Sequence, residues 1–243
     1  MRNQKMIAAV ALALLAVFAV SGCGAQTNVV TSEAPQIIQT YGEAEVKAEP
    51  DLARISLAIE TRSNMAEKAV DENARLANAV IEALKGFGLS DDEIKTGSYQ
   101  LYSYREWFEG RPDREGVITY QVTNEVVVTT SRLDEVGEMI DLALKAGTNN
   151  INYINFELEN PQELQLQALK LATEQAAKKA EAIAESAGER ISALYRIKEE
   201  RTDYMPYVYR QEMAMEDMDM VAPTPIMPGE VVVRALVTAE FAF

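Results

Sequence analysis

Four methionines, Met213, Met215, Met218 and Met220, sit among Glu212, Glu216, Asp217 and Asp219, and thioethers are the soft ligands that select Cu(I). Without an imidazole or thiolate beside them they bind weakly, and methionine is equally suited to adaptable protein contacts. A contact loop is therefore the first reading, with a copper or oxidant buffer as its alternative. The 243-residue chain has no histidine and one cysteine, Cys23. That excludes Ser-His and Cys-His nucleophile pairs, His-ligated metals and four-cysteine cages. G-x-S-x-G, S-x-x-K, P-loop and G-x-G-x-x-G patterns are all missing from the sequence. A pair of carboxylates on opposing strands suffices for acid-base hydrolysis, but among 38 Asp and Glu no spacing singles one out. No catalytic residue, resident metal or cofactor is assigned, and a non-enzymatic protein is expected, with a carboxylate hydrolase as the second alternative.

The cysteine has a more specific use. Arg2 and Lys5 precede an apolar run over 6–20, shorter than the ~20 residues a membrane-spanning helix needs. Val20-Ser21-Gly22-Cys23 follows and resembles the lipobox of bacterial lipoproteins, which implies cleavage after residue 22 and acylation of Cys23. More than one acyl chain gives stable anchoring. Residues 23–36 would then tether a domain over 37–243 to the outer face of the cytoplasmic membrane or to an outer membrane. Gly24 beside the cysteine favours the latter where two membranes exist. Removing residues 1–22, which hold two cations and no carboxylate, takes the net charge from −15 to −17. Such a surface repels nucleic acid, so the expected partners are the membrane, through lipid, other copies of the chain and an envelope protein.

Apolar periodicity predicts the elements that carry these residues. Strands are expected over 37–46 and 53–59, either side of Glu49-Pro50-Asp51. A helix follows from Asn64, with Glu67 completing a capping box, to Gly86 or Gly88. Two alternating segments, 95–108 and 117–130, flank turn residues at 109–113 and read as a hairpin. Ser131 caps a short helix ending at Gly147, a strand covers 151–158, and Asn160-Pro161-Gln162-Glu163 opens a helix reaching Gly188. Strands over 191–198 and 231–243 close the chain. Seven strands and three helices in this order predict an α+β fold with a largely antiparallel sheet. The stretch 203–229, with six of the ten methionines and four of the eight prolines, is expected to be a long loop.

Several residues in this frame resemble the bacterial SIMPL-domain family. Tyr41-Gly42-Glu43-Ala44 is similar to its glycine-glutamate signature, followed by Pro50-Asp51. Gly88, then Ile94-Lys95-Thr96 and Tyr99, resembles its G-[IL]-x-x-x-x-I-x-T-x-x-[YF] stretch. Tyr120 and Asn124 resemble its Y-x-x-x-N strand, and Gly147, Phe156, Gly188 and Pro228-Gly229 continue the match to the end. The resemblance implies an α+β fold outside the cytoplasm, self-assembly in some members, a loose link to oxidative and envelope stress, and no established reaction.

These signature positions read first as structural. Pro50-Asp51 suits a turn before a strand, and Gly42 a bulge or a close backbone approach. Asn124, in a valine-rich strand, is costly to bury unless a neighbouring loop bonds it. Tyr102, Tyr104, Trp107 and Phe108, near the hairpin tip, are the candidate partner contacts, with strand packing as the alternative.

Overall fold

The structure, a computed structural model, describes residues 36–107, 116–209 and 224–243. The expected export segment at 1–22, Cys23, Phe108, the turn expected at 109–113, and Met213, Met215, Met218 and Met220 lie outside the described residues. Among those described, β1 is Ile37–Ala48, β2 Leu52–Ser63, α1 Ala66–Gly86, β3 Ile94–Glu106 and β4 Val117–Thr130. A 3-10 turn at Leu133–Glu135 leads into α2, Val136–Ala146; β5 is Asn150–Glu157 and α3 Gln162–Ser186. β6 is Ala193–Met205, β7 Tyr207–Val208 and β8 Val231–Ala242. The fold is α+β, with every strand pair antiparallel.

The strands form two sheets. Three make the order β1-β8-β6 and five make β3-β4-β2-β5-β7. The eighth strand, β7, lies inside the stretch expected to be loop, and β6 runs on to Met205. Each answers a partner strand: β8 presents backbone groups on both sides, so Thr202 to Met205 complete its ladder opposite Ala235 to Val232, while Tyr207 and Val208 pair with Phe156 and Asn155 on the edge of β5. Propensity within 203–209 does not reveal demands that come from strands remote in sequence, β8 for the end of β6 and β5 for β7.

The larger sheet buries one face under α1 and α2. Ile55, Leu57 and Ile59 of β2, Val126 and Val128 of β4, and Phe156 of β5 meet Val80, Leu84, Met139 and Ile140. The smaller sheet packs on α3 through Ala168, Ala172, Ala176, Ala180 and Ala184, one alanine per turn and all fully buried. Alanine lets the helix lie close to the sheet, and Thr40 Oγ1 donates to the Ala176 carbonyl at 2.8 Å. Leu171 and Ile183, on the flank of this stripe, stay exposed.

Two expected helix starts differ in detail. α1 begins after Met65 and the 3-10 turn after Arg132, neither with a side-chain cap bond. Thr130 Oγ1, rather than Ser131, accepts from the Arg132 N–H at 3.3 Å. At α3, Asn160 Oδ1 accepts from the Gln162 N–H at 3.2 Å.

Candidate contact site

Side-chain direction alternates along a strand, so residues paired across β3 and β4 share a face. Leu101 lies opposite Val122, Ser103 opposite Tyr120 and Arg105 opposite Ile118. Val122 is a fully buried β4 residue, which puts this set on the side that α1 covers nearer the sheet centre. Toward the tip that cover ends. Tyr99, Leu101 and Ile118 are 51%, 47% and 44% exposed, and Trp107 is 67% exposed with the Arg105 guanidinium 6.0 Å from its ring centre.

Tyr102 and Tyr104 point the other way. They lie opposite Gln121 and Thr119, with their ring centres 6.2 Å apart. The candidate contacts therefore do not form one patch: Trp107 goes with Arg105 and the tyrosine pair with the opposite face.

That opposite face carries a cluster that sequence reasoning missed. Ser56 Oγ of β2 donates to Glu125 Oε1 of β4 at 2.5 Å, and Ser98 Oγ of β3 donates to Oε2 at 3.0 Å. Asn152 Nδ2 of β5 donates to Ser56 Oγ at 2.9 Å. The Ser56 hydroxyl holds the Glu125 carboxyl below the usual carboxylate value, against the opposing effect of burial and with help from Ser98. Two irregularities make the contacts possible. The β3 register shifts between Thr96 and Tyr99, and the β2–β5 register shifts at Ser56/Leu57, beside Asn152. Bulges re-aim side chains, and a strict period of two cannot predict them. Gly97 is part of this arrangement, since a Cβ there would stand 2.7 Å from Glu125 Oε2. The detectable signal was a serine and a glutamate interrupting two apolar strands.

The remaining signature residues are dispersed. Gly42 approaches α3, and Glu43 N–H donates to Gln175 Oε1 at 2.9 Å. Asp51 Oδ1 accepts from the Glu159 N–H at 2.7 Å, tying the β1–β2 turn to the end of β5. Thr96 is exposed on β3, and Tyr120 is half-buried opposite Ser63. Asn124 is opposite Ile59 and Tyr99; its Oδ1 is buried with no partner among the described residues, so the expected loop bond is not found. Phe156 is wholly buried in the core. Gly147 and Gly188 have φ of 133° and 81°, the left-handed region that glycine tolerates at helix ends. Pro50, Pro228 and Gly229 line a cleft of about 550 Å3 with Arg132, and Gly229 leaves room for the Tyr207 ring. Among the described residues no three Asp or Glu converge to hold a metal ion.

Two antiparallel sheets, helices on one face of each and a bare polar face on the larger sheet define an α+β protein with open surfaces. The chain belongs to the SIMPL family: the family model, described as a protein of unknown function (DUF541), matches residues 38–241. The 26 kDa periplasmic immunogenic protein of Brucella melitensis biotype 1 is 28% identical over 184 residues, 75% of this chain and 73% of its own. The uncharacterised protein YggE of Escherichia coli K12 is 25% identical over 195 residues, 80% of this chain and 77% of its own. YggE of Edwardsiella ictaluri is 25% identical over 197 residues, covering 80% and 81%.

Proposed function

We propose that this is a lipid-anchored, extracytoplasmic protein of the cell envelope that works without catalysis, as a self-assembling scaffold or binding protein. The relative named as periplasmic supports the location, and the cysteine after a short apolar run supports the anchor. The β3–β4 hairpin carries the assembly reading. Its Tyr99, Leu101 and Ile118 have the orientation of core residues but extend past the helices, beside the exposed Trp107. A second copy of the chain is the occupant that would remove this apolar strip from water. The non-catalytic reading rests on chemistry: with Cys23 acylated, the domain has neither thiol nor imidazole. Native mass measurement of the full chain in detergent tests the assembly, and a strictly monomeric protein overturns it. Labelled palmitate incorporated by the wild type but not by Cys23→Ser tests the anchor. Label present in both proteins would overturn it.

A further inference from the structure

Across the bare face of the larger sheet, register places Tyr102 beside Gln121 and Gln121 beside Arg62. The next rank is Gln100, Thr123 and Glu60. Helices α1 and α2 pack on the opposite face, while α3 contacts the other sheet. A solvated antiparallel face needs no explanation by itself. This one, however, presents amides, hydroxyls and tyrosines, and its Arg62 and Arg54 are each paired with a carboxylate. Arg62 donates to Glu60 Oε1 from Nε, at 2.8 Å, and again from Nη2. Arg54 Nε lies 3.6 Å from Glu157, and Glu125 is held by two serine hydroxyls. With both arginines already paired, on a chain of net charge −15, the strip favours a neutral ligand over an anion.

Where β5 begins, the strip deepens into a hollow of about 430 Å3 lined by Glu60, Arg62, Asn149 and Asn150. That volume falls within the range of about 300–1,000 Å3 typical of small-ligand sites. Its walls are preset. Asn149 Oδ1 accepts from the Glu60 N–H at 2.9 Å, and Asn149 Nδ2 donates to the Glu60 carbonyl at 2.7 Å. Both Arg62 bonds fall on Glu60 Oε1, so Oε2 remains an acceptor beside a guanidinium that keeps spare donors. An acceptor and a donor fork side by side match two neighbouring hydroxyls. Flat tyrosine rings, Tyr102 in the Arg62 rank and Tyr104 two ranks from Glu60's, match the C–H face of a sugar ring. The distance from the Tyr104 rank to the Glu60 rank is about 13 Å along the strands, long enough for a short oligosaccharide rather than a single ring.

We propose that this face binds an uncharged pyranoside chain, with Glu60 and Arg62 holding vicinal hydroxyls and Tyr102 and Tyr104 stacking beneath adjoining rings. The occupant is the N-acetylated glycan of the cell wall; that source rests on the envelope location proposed above, whereas the sugar chemistry does not. Calorimetric titration of the full chain in detergent with chitohexaose is expected to show saturable binding with Kd of about 1 mM or tighter. Arg62→Ala and Tyr102→Ala each weaken it about tenfold at unchanged Tm, and Leu171→Ser, on exposed α3, leaves it unchanged. Should Arg62→Ala unfold, Glu60→Gln tests the same hydroxyl contact. Absence of saturable binding at about 10 mM, equal binding by the face variants, or preference for heparin overturns the proposal. Binding of cellohexaose but not chitohexaose overturns the cell-wall source. None of these outcomes alters the native mass on which self-assembly is judged.

Discussion

The Cα of Gly42 lies so close to the backbone of α3 that a Cβ on it would stand 1.8 Å from the carbonyl oxygen of Ala172. The signature glycine is thus where β1 and α3 touch, and the alanine stripe beside it sets the same short distance. Gly42→Ala forces helix and strand apart, and overpacking of this kind costs about 1–3 kcal/mol or more. The urea midpoint should fall with little change in slope. Because the clash is with a carbonyl, Ala172→Gly should not rescue it; a double variant as stable as wild type would contradict the packing account.

Glu125 is expected to make stability pH-dependent on the acid side. Its folded pKa lies below the ordinary value of 4.5, chiefly through the Ser56 hydroxyl. The ionised, bonded carboxylate therefore stabilises the fold above about pH 4.5, and this stabilisation is lost as pH falls through the folded value. The gap in urea midpoint between wild type and Glu125→Gln should be constant near neutrality and shrink below about pH 4.5. A gap that widens on acidification would have the wrong sign.

Phe156 and Tyr102 test core against surface. Phe156 is fully buried between the larger sheet and its helices, and Phe156→Ala should cost about 3–5 kcal/mol. Tyr102 is 46% exposed, so Tyr102→Ala should change stability by about 0.5 kcal/mol or less. Equal losses in thermal unfolding would show that the bare face is covered within the monomer.

The exposed hairpin strip separates assembly from folding. Leu101→Ser with Trp107→Ser should leave Tm of the dissociated chain nearly unchanged while shifting native mass toward monomer at a given concentration. An unchanged mass distribution moves the self-contact elsewhere.

Asn124 offers a test with the opposite sign. Its buried Oδ1 lacks a partner among the described residues, and an unsatisfied buried acceptor costs about 1–3 kcal/mol. Asn124→Leu, similar in shape, should raise the urea midpoint. A fall would mean that ordered water satisfies the amide in solution.

The α+β class, the three helices and most strands were legible because each buries one face, which imprints a period of 3.6 or 2 on the sequence. Ile55, Leu57 and Ile59 repeat at two and are buried together; Ala168, Ala172 and Ala176 repeat at four and form one stripe. β7 and the end of β6 were not legible, because their pairing answers demands from β5 and β8, strands remote in sequence. Nor was the Glu125 cluster, assembled from four strands through bulges that shift register, or the hollow at Glu60, whose walls meet only where β5 begins.

Sequence alone determined the chemistry available: no imidazole, one cysteine placed after an apolar run, and a strongly acidic domain with an α+β pattern of elements. Those are properties of residue type and local spacing, which survive in an unfolded chain. Tertiary structure decided which side of the hairpin each aromatic occupies, that Gly42 meets a helix 130 residues further along, and that Glu60, Arg62 and Asn149 form one hollow. Strand order and register set those relations, and both come from long-range pairing between segments whose own sequences do not name their partners.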